Sequence, residues 1–159
     1  MERHDLVSST SNKVEERLLR TLRNARLRLT PQRRAICRYL AHTKEHPTAP
    51  QIFAAVKPHF PSLSLATVYN TLDALVRLGA IHALGEAGDG VVHYDADTDP
   101  HVNLACLKCH RVVDLPCAIV ADLDQKVAAE SGYRIVGARL MYYGLCPECQ
   151  RAPSQDSTL

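Results

Sequence analysis

The sequence predicts an α+β protein in two parts, a helical N-terminal half that ends in a short β-hairpin and an α/β C-terminal half stapled by four cysteines. Three observations predict it. Apolar residues recur at helical spacing through the first half, two short apolar runs then flank a glycine-rich turn, and two C-x-x-C pairs 36 residues apart punctuate the remainder.

A chain of 159 residues with 46% hydrophobic content can bury one moderate core, or two small ones if something staples the second. No apolar run approaches the roughly 20 residues that span a bilayer, and Met1 to Asn12 is polar with no signal-peptide hydrophobic region. The expectation is a cytoplasmic protein with no membrane partner. In that setting two closely spaced cysteine pairs point to metal ligands rather than disulfides. The net charge of +2 hides an asymmetry: residues 1–83 carry 13 Lys and Arg against 6 Asp and Glu, and residues 84–159 carry 6 against 11. A basic first half suits a nucleic-acid partner, although solvated basic helices would give the same count.

The first helix is expected from Lys13 to Asn24, with Leu18, Leu19 and Leu22 on one side. Residues 1–12, and the Ser- and Pro-containing tail 151–159, are expected to be disordered. A second helix starts with Thr30 as N-cap and Pro31 at the first helical position, where its missing N–H costs nothing, and runs through Ile36 and Leu40. A loop then carries His42 and His46. The third helix opens with Thr48 and Gln51 in capping-box spacing and stops at Pro58. A turn, Phe60 to Leu63, leads to the fourth helix, capped by Ser64 and ended by Gly79, with Leu65, Val68, Leu72, Leu75 and Val76 as its apolar stripe.

The opposite face of that fourth helix offers Ala66, Thr67, Tyr69, Asn70, Asp73 and Arg77. Asn pairs bidentately with adenine, Thr and Ala methyls touch the thymine methyl, and Tyr reaches phosphate, so the face suits a major groove. An ordinary amphipathic helix is the competing reading. Strands at Ile81 to Leu84 and Val91 to Tyr94, around Gly85 to Gly90, complete a helix, turn, helix, hairpin order that suggests a winged helix over 13–95, with the glycine-rich tip meeting backbone phosphate.

In the second half, Cys106-Leu107-Lys108-Cys109 and Cys146-Pro147-Glu148-Cys149 can each present two thiolates to one tetrahedral Zn(II) at about 2.3 Å. Four sulfurs close the shell, so the site is structural, and the long gap places the pairs on distant strands of a sheet. Val112 and Val113 suggest a strand, Ile119, Leu123 and Val127 a helix, and Tyr133 to Tyr143 a further strand or two. Cys37 and Cys117 are solitary and read as small buried hydrophobes.

Arg28-Leu29-Thr30-Pro31-Gln32-Arg33, His46-Pro47-Thr48-Ala49, Leu65-Ala66-Thr67-Val68-Tyr69-Asn70-Thr71-Leu72 and both cysteine pairs, in that order and spacing, resemble the ferric uptake regulator family over roughly Lys13 to Cys149. The resemblance implies a homodimer of winged-helix domains joined by α/β dimerisation domains, here 96–150, that binds double-stranded DNA at a palindromic operator as a metal-loaded repressor. It implies DNA contacts from Arg28, Thr30, Gln32, Arg33, Ser64, Ala66, Thr67, Tyr69 and Asn70. The family's sensory metal site falls on His46, Asp95, His101, Asn103 and Asp114.

Asn103 departs from the family pattern, which usually has histidine there. A neutral amide oxygen is harder than imidazole and tilts the site toward Mn(II) or Fe(II). Alternatively Asn103 stays out, and water or His93 completes the shell. From the residues alone, His101 and Asn103 alternate along a strand and so point the same way. His4, His42, His59, His82 and His110 match no ligand position. A further site found in some relatives would fall on Pro100, Val102, Ala121 and Ala138, none of which ligates through its side chain, so one structural and one regulatory ion per subunit are expected.

Asp95 and Asp114, Tyr69-Asn70 and the retained His46 and His101 lean toward the family's peroxide-responsive branch, in which a histidine ligand of bound Fe(II) is oxidised and DNA is released. The alternative is a manganese- or iron-responsive repressor of metal-uptake genes. A zinc sensor is disfavoured because thiolate enters that branch's site where Asp95 stands here. A zinc hydrolase or deaminase would need an open coordination position and a general base, and four cysteines leave none. A purely structural zinc adaptor would leave the basic helices without a role.

Overall fold

The structure is a computed structural model that describes residues 3–99, 101–115, 119–136 and 138–151, with the side chains of 3–9 and 119–121 left aside. Pro100 and Cys117 lie outside the described residues. In chain order the elements are α1 (Arg3–Asn24), α2 (Pro31–His42), α3 (Ala49–Val56), α4 (Leu65–Arg77), β1 (His82–Glu86), β2 (Val92–Asp95), β3 (Val102–Cys106), β4 (Val112–Leu115), α5 (Ile119–Ser131), β5 (Leu140–Gly144) and α6 (Pro147–Arg151). They divide into two compact units, Met1–Gly85 with Val92–Thr98, and Glu86–Val91 with Asp99–Leu159.

In the first unit, local signals set the helix ends. Thr30 accepts from the backbone N–H of Arg33, Ser64 from that of Thr67, and Thr48 forms a reciprocal capping box with Gln51. Pro58 ends α3 in a single tight turn, Lys57–His59. Gly79, at φ +66°, closes α4, while Ala80 N–H reaches back to Leu75 O at 2.9 Å. The packed faces form one cluster: Leu18 and Leu22 of α1, Ile36 and Leu40 of α2, Ile52 and Val56 of α3, Val68, Leu72 and Leu75 of α4, then Ile81 and Tyr94. Burying each such aliphatic side chain is worth about 1.5–3 kcal/mol against leaving it exposed. Cys37 sits inside this cluster as expected, where burial first and Glu15 second push its thiol up from 9.0 to about 12.

Three expectations are corrected here. The first helix starts at Arg3, not Lys13, because no proline or glycine interrupts the chain from Arg3 to Asn24 and the Ser/Thr run is tolerated. On α4, Leu65 is 38% exposed, and Thr71 is fully buried in its stead. Thr71 Oγ1 satisfies itself by donating to Thr67 O at 2.8 Å, which lets a polar residue occupy the core. The hairpin strands also begin one residue later than expected, at His82 and Val92.

The second unit is built on a three-stranded sheet ordered β4-β3-β5. β3 pairs antiparallel with β4 and parallel with β5, the parallel partner being reached through α5. Its register puts Asn103 opposite both Asp114 and Met141, and Cys106 opposite Gly144. The hairpin tip Glu86–Val91 groups with this unit, and the unit boundary falls between Thr98 and Asp99, beyond the expected 95/96. Ala87 is fully buried, His110 Nδ1 donates to its carbonyl at 3.0 Å, and a Cβ added at Gly88 would come within 3.3 Å of Leu107. The tip is thus packed against the first cysteine pair through Ala87 and Gly88, while Glu86, Gly88 and Gly90 remain exposed.

Candidate metal centres and nucleic-acid face

The expected strand-joining cysteine site is present within the second unit. Cys106 is the last residue of β3, and β5 ends at Gly144, its register partner, so the two C-x-x-C turns leave adjacent parallel strands side by side. Leu107 N–H donates to Gly144 O at 2.9 Å and His110 N–H to Cys106 O at 2.8 Å, which folds the first pair back on itself. In the second pair, Cys146 N–H donates to Cys106 Sγ at 3.3 Å. The ligand atoms of Cys106, Cys109, Cys146 and Cys149 all lie within 4.8 Å of one another.

Cys109 Sγ and Cys146 Sγ are 3.8 Å apart. A tetrahedron with metal–sulfur bonds of about 2.3 Å has edges of about 3.8 Å, so the donor set fits zinc. The thiols divide in acidity. Backbone N–H groups, that of Cys146 first and Cys109 next, hold Cys106 down at about 5, whereas hydrogen bonding with Cys146 and then burial push Cys149 up to about 12. One sulfur ionises readily and another resists following it, as crowded thiols do without a cation; a divalent ion removes that resistance.

The five expected regulatory ligands fall in both units, and each unit arranges its own share. In the first, His46 Nε2 lies 3.7 Å from Asp95 Oδ1, with both side chains only 4% exposed. The loop carrying His46 is strapped to β2: Tyr94 N–H donates to Pro47 O at 3.0 Å, Thr48 bridges to His93, and His93 Nδ1 donates to His46 O at 2.8 Å. His93 therefore acts on this half-site by fixing the backbone of His46. Asp95 is set by its own turn, its Oδ1 accepting from Asp97 N–H at 2.7 Å.

In the second unit, His101 Nε2 is 3.3 Å from Asp114 Oδ1 and 3.2 Å from Asn103 Nδ2. His101 Nδ1 faces the Asp99 carbonyl at 2.7 Å. A carbonyl only accepts, so Nδ1 carries a hydrogen, and Nε2 is the ring atom that faces Asp114 and Asn103. The expected shared direction of His101 and Asn103 is observed, and Asn103 Oδ1 is buried with no hydrogen-bond partner. An imidazole and a carboxylate, next to an Asn103 whose amide nitrogen faces the ring and whose oxygen is buried and unsatisfied, offer donors suited to a hard divalent ion.

Of the residues expected to face DNA, several are engaged in holding the fold. Thr30 and Ser64 are the caps of α2 and α4, Ser64 and Thr67 hydroxyls meet at 2.8 Å, Gln32 donates to Ser62 at 3.1 Å, and Arg33 Nη1 donates to Arg28 O at 2.9 Å. Arg28, Ala66, Tyr69 and Asn70 are exposed. The N-terminus of α4 is thus held by its cap, with Ala66, Tyr69 and Asn70 exposed on its first two turns and Arg28 exposed ahead of α2.

Residues 24–143 match the ferric uptake regulator family. The chain is 34% identical over 144 residues to the peroxide-responsive repressor PerR of Staphylococcus aureus strain Mu50, covering 91% of this chain and 96% of that protein. Among solved structures, the Helicobacter pylori ferric uptake regulator shares the fold at a TM-score of 0.75 and 20% identity, covering 91% of this chain and 97% of that one. PerR from Streptococcus pyogenes, described as a basis for peroxide sensing and gene regulation, is 36% identical with a TM-score of 0.50, covering 86% of this chain and 93% of that one. Among the described residues, no helix is long and apolar enough to cross a membrane. On its motifs, its fold and these likenesses, the chain belongs to the ferric uptake regulator family.

Proposed function

We propose that this protein is a metal-dependent, DNA-binding transcriptional repressor of the cytoplasm, not an enzyme, and that it senses peroxide through its histidine ligands. The observation that carries the reading is the paired half-site chemistry: His46 beside Asp95 in one unit, His101 beside Asp114 and Asn103 in the other, imidazole and oxygen donors of the kind that hold a divalent ion. One Fe(II) or Mn(II) held by both sets favours the DNA-competent arrangement of the units, and can do so only by as much as it binds that arrangement better. The curated relative it resembles at 34% identity is a peroxide-responsive repressor.

Fe(II) bound there supplies the one-electron chemistry that activates peroxide. The chain's own contribution is to orient the two imidazoles. The Asp99 carbonyl fixes the His101 tautomer, and His93 fixes the His46 backbone. Oxidation of either ring lowers its basicity and removes a donor. Exposed Arg28, Ala66, Tyr69 and Asn70 are the side chains proposed to meet a palindromic operator, braced by Thr30, Gln32, Arg33, Ser64 and Thr67. The second copy is proposed to pack on the sheet of the second unit, where Val113, Leu115 and Tyr142 are 44%, 47% and 61% exposed in one chain.

A second reading, a manganese- or iron-responsive repressor of metal uptake without peroxide chemistry, draws its support from Asn103. Its amide stands where the family usually has an imidazole, a change that on this reading weakens the Fe(II) chemistry. Mass spectrometry of tryptic peptides, before and after brief low peroxide, separates the two. Gain of one oxygen on the peptides of His46 or His101, with Fe(II) and not with Mn(II), is the expected result. Unmodified histidines, with metal-dependent DNA binding intact in fluorescence anisotropy, would hand the role to the second reading.

A further inference from the structure

Arg17, on α1, belongs to neither metal half-site nor the proposed DNA-facing surface, yet its guanidinium makes two short long-range hydrogen bonds in the first unit. Nη1 donates to Ala80 O at 2.7 Å and Nη2 donates to Ala96 O at 2.6 Å, across 63 and 79 positions of sequence. Ala80 is buried and follows Gly79, the residue that closes α4. Ala96 is the middle residue of the turn in which Asp97 N–H holds the Asp95 carboxylate at 2.7 Å. One planar fork therefore grips the end of the DNA-facing helix with one tine and the metal-ligand turn with the other.

We propose that Arg17 is a positioning residue for metal-dependent DNA binding: it couples the Asp95 turn to the end of α4, so that metal held at Asp95 fixes the angle at which α4 is presented. The inference rests on the regulatory reading above. The guanidinium is suited to this because its donors are fixed in one plane, so displacing one carbonyl strains the bond to the other. Lysine, with one rotatable ammonium on a flexible stem, cannot hold both carbonyls in a set relation. The anchorage is firm: Leu18 and Leu22, on the same helix, are fully buried in the core that α4 completes. Thr21 Oγ1 also donates to Arg17 O at 3.0 Å, tying the next turn of α1 to the residue.

The test compares wild type, Arg17→Met and Arg17→Lys as full chains with zinc retained. Each is titrated by anisotropy against a labelled duplex selected by the Mn(II)-loaded wild type from a random pool, with and without Mn(II). Mn(II) affinity is read by competition with a fluorescent chelator, and amide exchange is followed over residues 78–82 and 95–98 without added metal. In Arg17→Met we expect both segments to exchange faster together, while the Mn(II)-induced gain in DNA affinity falls about tenfold, a coupling change of ordinary size, with metal-free DNA affinity unchanged. Arg17→Lys falls between.

A gain preserved to within about twofold overturns the proposal. So does an equal loss of DNA affinity with and without Mn(II), because a residue that merely holds the fold would act on both. If Arg17→Met does not fold, Arg17→Lys carries the same comparison. If wild type itself shows no metal-dependent gain, the regulatory reading fails, and the exchange data alone judge the clamp: joint acceleration of the two segments supports it, and independent behaviour overturns it.

Discussion

The two units are closed by different physics. The first has a contiguous apolar cluster drawn from α1, α2, α3, α4 and the strands that follow, fully excluding residues such as Leu18, Ile36, Ile52 and Leu72 from water. The second, among its described residues, buries only small or short apolar side chains, Ala87, Val102, Ala105, Cys106 and Val112, while Tyr142, Tyr143, Leu145 and Leu115 stay about half exposed or more. A sheet with so little core needs a staple, and four cysteines on the ends of β3 and β5 supply one. The same chain thus holds a helical unit by hydrophobic burial and a sheet unit by coordination.

Removing the structural metal should separate the two most sharply. Cys146→Ser, or treatment with a strong zinc chelator, is expected to unfold the second unit, since structural zinc contributes on the order of 10 kcal/mol or more in small zinc domains, as large as a whole domain's stability. Amide exchange by segment should show β3, β4 and β5 losing protection while α2, α3 and α4 keep theirs; simultaneous loss in both would mean the units are not independently closed. Next in size, Leu72→Ala is expected to destabilise the helical unit by about 2–5 kcal/mol through a cavity. Thermal melting followed by the helical circular dichroism signal checks this, and β3 protection should be unaffected.

A smaller change probes the half-site of the second unit. Asn103→His restores an imidazole beside His101 and Asp114, and is expected to raise Mn(II) or Fe(II) affinity roughly 10- to 100-fold, the scale on which single partners tune metal sites. Chelator competition measures it, and an unchanged affinity would place Asn103 outside the ligand shell. The smallest effect expected is from Thr48→Ala. Losing the capping box of α3 should cost about 1 kcal/mol and lower the melting point of the helical unit by roughly 4–8 °C, with zinc content unchanged.

Much of this was legible in the residues because it depends on short-range chemistry. The Thr30-Pro31, Thr48/Gln51 and Ser64 starts fall where the sequence put them, since each cap is satisfied within three residues of itself. The C-x-x-C pairs announced a four-sulfur centre for the same reason. Where the sequence misled, a distant partner had intervened. Leu65 satisfied the helical period but the neighbouring elements cover Thr71 instead, whose hydroxyl is rescued by a backbone carbonyl one turn back. The glycine-rich tip had the composition of an exposed loop, yet its Ala87 is buried and its carbonyl accepts from His110, 23 positions on. No local pattern could have found Arg17 either, because one more arginine on a basic amphipathic helix carries no mark of the two carbonyls it will grip.

The sequence by itself determined the helix limits set by caps and prolines, the two cysteine pairs and the family, all properties written within a few residues of one another or in a motif's order. Only the tertiary structure decided which side of Asn103 faces His101, that His93 supports His46 through its backbone, that the hairpin tip is anchored, and that Arg17 joins the Asp95 turn to α4. These depend on groups brought together from across the chain, where the cost of leaving a buried donor or acceptor unsatisfied selects one partner among many that the sequence permits.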